Sequence, residues 1–79
     1  MAVRAYVLIE TQVGKVKAVV NSIRGLQGLV SVDAVTGPYD VIATIEMDNL
    51  NEIGDLVTAK IHNVKGIYST VSCLAVKNP

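Results

Sequence analysis

Tryptophan and phenylalanine are missing from this 79-residue chain, which carries three tyrosines, one histidine, one cysteine and two prolines. One cysteine excludes an internal disulfide. A lone histidine, His62, with no carboxylate pair near it in sequence, offers neither a metal site nor a base–nucleophile couple. No glycine-rich phosphate loop is present, because Gly25-Leu26-Gln27-Gly28 lacks the spacing and the following lysine. Charge is scarce as well: 18% of residues are charged, and seven basic and seven acidic side chains cancel. Nucleic-acid binding needs a clustered basic face that displaces counterions from phosphates. Here Arg4, Lys15, Lys17, Arg24, Lys60, Lys65 and Lys77 are dispersed among acids, which argues against direct contact with nucleic acid. No apolar run approaches the ~20 residues of a membrane span, so no membrane partner is expected. The run Ala5 to Ile9 is too short for the apolar centre of a secretory signal. A soluble, cytoplasmic chain is the expectation.

What the chain has in abundance is aliphatic side chains. It is 51% hydrophobic, with a mean hydropathy of +0.44. A domain this small hides only roughly 60% of its unfolded surface as a monomer. One small core cannot use so much apolar material, and a large exposed apolar patch is unusual on a monomer. The surplus predicts an obligate homo-oligomer.

Val3 to Ile9 is rich in β-branched residues, lacks Gly and Pro, and reads as a first strand. Apolar residues then recur at Val13, Val16, Val19, Val20 and Ile23, on one face of a helix that Gly25 and Gly28 end. Leu29 to Val35 is a second strand and Val41 to Met47 a third. Asn49 and Glu52 stand at the spacing of a helix cap. Leu50, Ile53, Leu56, Val57, Ile61 and Val64 form a second helical stripe. Gly54 inside it suggests a close contact. Gly66 closes this helix, and Ile67 to Val76 is a fourth strand, followed by a polar tail.

Strand, helix, strand, strand, helix, strand, in two halves of matching length, is the split βαβ arrangement. The fold class expected is α+β: ferredoxin-like βαββαβ with a four-stranded antiparallel sheet, of the dimeric α+β barrel type. Both helices should cover one sheet face. The other face, with Tyr6, Leu8, Ile42, Tyr68 and Leu74 as its candidates, is left for sheet-on-sheet dimerisation. Cys73 lies in an apolar strand-like run and reads as a buried, inert thiol. His62 falls near the end of the second helix, where an imidazole suits the helix C-terminus.

Polar groups concentrate in two places. One is the turn Gly37-Pro38-Tyr39-Asp40, where Gly37 supplies backbone freedom and Pro38 fixes its own φ. Taken alone, this is a hairpin turn whose Asp caps a local amide. The other is the fourth strand, where Thr70 and Ser72 are two apart and share one side. Those hydroxyls either pair across the sheet or bind a ligand. A small zwitterion could meet hydroxyls and backbone amides at its carboxylate, and Asp40 at its ammonium group.

Val35-Thr36-Gly37-Pro38-Tyr39-Asp40-Val41-Ile42-Ala43 resembles the glycine–x–tyrosine–aspartate signature in the effector domain of Lrp/AsnC transcription regulators. Val64 to Ser72 is similar to that domain's last strand, where a threonine is followed two residues later by threonine or serine. Arg4 to Ile9 also resembles its first strand, so the likeness spans nearly the whole chain. It implies a RAM domain (regulation of amino-acid metabolism), which dimerises through its sheets, assembles into rings of dimers and binds an amino acid between dimers. Carried over by position, it makes Gly37, Tyr39, Asp40, Thr70 and Ser72 candidate effector contacts, with no cofactor and no metal. Full-length members begin with a winged helix-turn-helix, whereas this chain opens at the first strand of the effector domain. The resemblance thus implies one stand-alone domain over residues 1–79, with any DNA contact made through a full-length Lrp-like partner.

Three functions follow in order of expectation. The first is a non-enzymatic amino-acid sensor that also modulates full-length regulators. The second is a purely structural assembly subunit. The third is a small cofactor-free enzyme, which would need His62, a tyrosine or an acid inside an enclosed cavity.

Overall fold

The computed structural model describes residues 2–76; the tail Lys77–Pro79 expected to be polar lies outside them. Strands β1 (Val3–Thr11), β2 (Leu29–Ala34), β3 (Val41–Met47) and β4 (Ile67–Leu74) form one antiparallel sheet in the order β2-β3-β1-β4. Helix α1 (Val16–Ile23) connects β1 to β2. Helix α2 (Leu50–Asp55), continued by a π-helical segment Leu56–Ile61, connects β3 to β4. This is the ferredoxin-like βαββαβ architecture that the sequence pattern predicts.

One face of the sheet makes the core. Ala5, Val7 and Ile9 of β1 stand beside Ile45, Ala43 and Val41 of β3, and all six are buried. Val19, Val20 and Ile23 of α1, with Ile53, Leu56 and Ile61 of the second helix, close over them. Each valine, leucine or isoleucine side chain removed from water here contributes about 1.5–3 kcal/mol. Val13 departs from the expected stripe: it lies in the turn before α1 and is wholly exposed. Leu50, in the first turn of α2, is likewise half exposed.

The second helix differs in type from the regular α-helix its stripe suggests. Leu56 and Ile61 are both buried, five residues apart. An α-helix with Leu56 facing inward would bring Ala59 or Lys60 to the core instead. The π-helical step brings Ile61 inward and leaves Lys60 in solvent, and the His62 N–H bonds the Val57 carbonyl at 2.8 Å. At its start, the Asn49 side chain accepts the Glu52 N–H at 2.9 Å and donates to the Glu52 carboxylate at 3.2 Å, as the cap spacing predicts. Gly54 makes no close contact; a side chain there would meet open space.

The opposite sheet face carries no helix. Its rows read Cys73–Tyr6–Thr44–Ser31 and Val71–Leu8–Ile42–Asp33. The Arg4–Glu46 ion pair closes one end, and the Ser69 hydroxyl donating to Glu10 at 2.9 Å closes the other. The hydrogen bond to Glu46 raises the already high pKa of Arg4. Tyr6, Leu8 and Ile42 stand where the sequence placed them. Two expectations for β4 fail. Leu74 registers with buried Ala5, on the helix side, and Cys73 is exposed on the open face beside Tyr6.

A bulge explains both failures. Thr11 pairs with Ile67, but Glu10 pairs with Ser69, so Tyr68 is an extra residue in β4. From Ser69 onward the alternation is shifted by one, which sends Thr70, Ser72 and Leu74 to the helix side. Tyr68 itself is 74% exposed.

Candidate binding site

Gly37 and Tyr39 lie in the connection between β2 and β3, and Asp40 immediately precedes β3. Gly37 has φ +117°, a backbone conformation that side-chain-bearing residues rarely adopt, and it is exposed. The main chain of Asp40 is pinned on both sides. Its N–H donates to the Ile9 carbonyl at 2.9 Å, and its carbonyl accepts the Val35 N–H at 2.9 Å. Its half-buried carboxylate accepts the Thr11 N–H at 2.8 Å and the Thr11 hydroxyl at 3.3 Å, both on Oδ2. The amide-capping role expected from local chemistry is therefore present, and its partner is the end of β1. Oδ1 makes no protein hydrogen bond among the described residues.

Thr70 and Ser72 share one side of β4, the helix side, where they register with Ile9 and Val7. The core helices stop short of this edge strand, so Ser72 is exposed and Thr70 half-buried. Ile9 thus stands between the two groups. Asp40 bonds its carbonyl from the β3 side and Thr70 pairs with it from the β4 side. Two strand spacings, about 10 Å, separate Thr70 from the start of β3. Gly37, Tyr39, Asp40 and Thr70 lie toward one end of the sheet and Ser72 opposite the middle of β1, and neither of the two grooves described below joins the carboxylate to the hydroxyls.

Two residues outside the predicted contact set sit at this end. Thr11 fills one carboxylate oxygen of Asp40, and nothing in its local pattern marks it. His62, set aside as a helix-terminal imidazole, lies with its Nδ1 3.2 Å from the Thr70 hydroxyl. The π-helical turn delivers it there, and no periodicity argument for an α-helix would. His62 is exposed and lines neither of the two grooves described below, an arrangement that weighs against the cofactor-free enzyme.

The grooves lie elsewhere. The larger, about 440 Å³, runs between the loop at Gly25–Gln27 and the second helix, lined by Leu26, Met47, Leu56 and Ala59 with Glu52, Asp55 and Lys60 at its rim. A smaller one adjoins it at Gly28, Glu46 and Asp48. Both are at the Met47 end of β3, about 20 Å along the strand from Asp40. Among the described residues no group of three metal-ligating side chains forms, and no helix is long and apolar enough to cross a membrane.

Known proteins share this architecture. The crystal structure of TTHA0845 from Thermus thermophilus superposes with a TM-score of 0.91 at 32% identity, covering 98% of this chain and 96% of that one. Escherichia coli AsnC has the same fold, with a TM-score of 0.90 at 17% identity, over 98% of this chain but 52% of AsnC. An uncharacterized HTH-type transcriptional regulator of Pyrococcus furiosus, PF0250, is 29% identical over 59 residues. That match takes in 75% of this chain and 39% of the regulator, so the chain spans well under half the length of this curated relative. Residues 4–79 match the family described as the Lrp/AsnC ligand binding domain, and the chain belongs to that family.

Proposed function

We propose that this chain is an amino-acid-sensing module without enzymatic activity, built from dimers that assemble further into a ring. The observation that carries the reading is Asp40 at the start of β3, with the Thr70 and Ser72 hydroxyls two strands away on an edge strand that the chain's own helices leave largely uncovered. Hydroxyls suit a carboxylate, and the free Oδ1 of Asp40 suits an ammonium group. Gly37 and Tyr39 shape the turn beside them. Because Ile9 separates the two groups, a neighbouring copy completes the site, with the carboxylate drawn from one subunit and the hydroxyls from the next. The open sheet face, apolar in the middle and ionic at its ends, supports dimerisation by the same logic as other protein interfaces. Co-assembly with full-length Lrp-like regulators is the route by which such a module would reach DNA. Titration with each of the twenty L-amino acids by calorimetry tests the reading; no heat from any of them sinks it.

The Thr11–Asp40 bond favours one alternative, an assembly subunit whose turn is purely structural. In that case the oligomer is indifferent to amino acids, and Asp40→Ala alters particle mass.

A further inference from the structure

His62 and Thr70 are joined by a hydrogen bond whose direction is not fixed by geometry, and that freedom has a chemical meaning. A threonine hydroxyl has a single proton. If Thr70 donates it to Nδ1 of His62, the hydroxyl has nothing to offer an anion. If Nδ1–H donates to Thr70 instead, the hydroxyl proton is free to point at a carboxylate. We propose that His62 is a positioning residue of the effector site, whose ring takes the Nδ1–H tautomer when a ligand carboxylate is bound and so turns the Thr70 hydroxyl toward it. The inference rests on the amino-acid-sensing reading above.

Three observations meet here. The Nδ1–Oγ1 separation is 3.2 Å. Thr70 is on the helix side of β4 only because Tyr68 is inserted in the strand. His62 directly follows the π-helical segment, with its N–H held by the Val57 carbonyl at 2.8 Å. Two backbone irregularities on different elements thus bring together the only imidazole in the chain and a hydroxyl of the proposed site. Nε2 has no protein partner among the described residues, so the ring can exchange tautomers without breaking another bond.

A single histidine makes the test direct, because a protein labelled with ¹⁵N-histidine gives one pair of ring signals. The probe is whichever L-amino acid gives the largest heat in the calorimetric series. Its addition is expected to move the ring toward the Nδ1–H tautomer. His62→Leu should weaken binding about twofold to tenfold, the size of one neutral hydrogen bond. His62→Asn, which keeps an N–H donor, should recover part of that loss, and both variants should keep the parent's particle mass. Binding with an unchanged tautomer, or unchanged affinity in His62→Leu, overturns the role of His62 and leaves the sensing reading standing. An absence of heat from the parent with all twenty overturns both.

Discussion

Asp40 closes the end of β1 by accepting the main-chain N–H of Thr11 at 2.8 Å, across 29 positions of sequence. That bond falls on Oδ2 and leaves Oδ1 without a protein partner among the described residues, so the fold and the proposed site would draw on different oxygens. The two duties separate on substitution. Asp40→Asn keeps an amide oxygen for Thr11 and removes the charge. A charge-assisted bond to an ammonium group contributes about 1.5–3 kcal/mol. Calorimetry should therefore show amino-acid affinity reduced roughly tenfold to a hundredfold, with the parent's particle mass unchanged by light scattering. Unchanged affinity would mean that the carboxylate is structural only.

Thr70→Val exchanges a hydroxyl for a methyl at nearly constant volume. Losing one neutral hydrogen bond costs about 0.5–1.5 kcal/mol. The expected outcome is a smaller loss of affinity than in Asp40→Asn, roughly twofold to tenfold. A larger effect than that of Asp40→Asn would reverse the assignment of the dominant contact.

The open face supplies a third test. Leu8 lies in its central row, between Val71 and Ile42, and Cys73 is in the adjoining row beside Tyr6. Leu8→Asp puts an unpaired charge where the proposed dimer would be dry, and the particle mass by light scattering should fall to that of monomer. The Cys73 thiol should then react with a disulfide reagent much faster than in the parent. Equal thiol reactivity in the two proteins would place the dimer contact on another surface.

Gly66 is the fourth. Its φ is +102°, and a Cβ there would stand 3.1 Å from Lys15 Cβ and 3.2 Å from Val19 Cγ2. Backbone strain of this kind costs about 1–3 kcal/mol. Gly66→Ala should therefore lower the melting temperature by roughly 10 °C, given about 4–8 °C per kcal/mol in a domain of this size. A melting temperature within a degree or two of the parent would show that the turn relaxes freely.

Much of this was legible from residue order. The alternation in Val3–Ile9 and Val41–Met47 and the stripe Val19-Val20-Ile23 lead directly to the core, because burial on one face demands a period of two or 3.6. The turn around Gly37 announced its backbone requirement. The side that each β4 residue faces was hidden. Ile67, Tyr68, Val71, Leu74 and Val76 supply apolar residues to both alternations, so only pairing with β1 decides the register. The π-helical turn was hidden for a related reason: the four-residue spacings Ile53–Val57 and Val57–Ile61 mask the five-residue step from Leu56 to Ile61. Cys73 and His62 were misjudged or set aside as a result.

The extra residue in β4 resets the phase of the strand partway along its length. Ile67, before the reset, faces the core, and so do Thr70 and Ser72 after it, while Ser69, Val71 and Cys73 are turned to the open sheet. One strand is thereby apportioned between two surfaces on opposite sides of the sheet, and beyond the extra residue its even positions go to the helix side and its odd positions to the open side. Any force that shifts β4 by a single residue would exchange the two sets at once. In an assembly that uses both surfaces, pairing of subunits and occupancy of the proposed effector site would then share one mechanical element eight residues long.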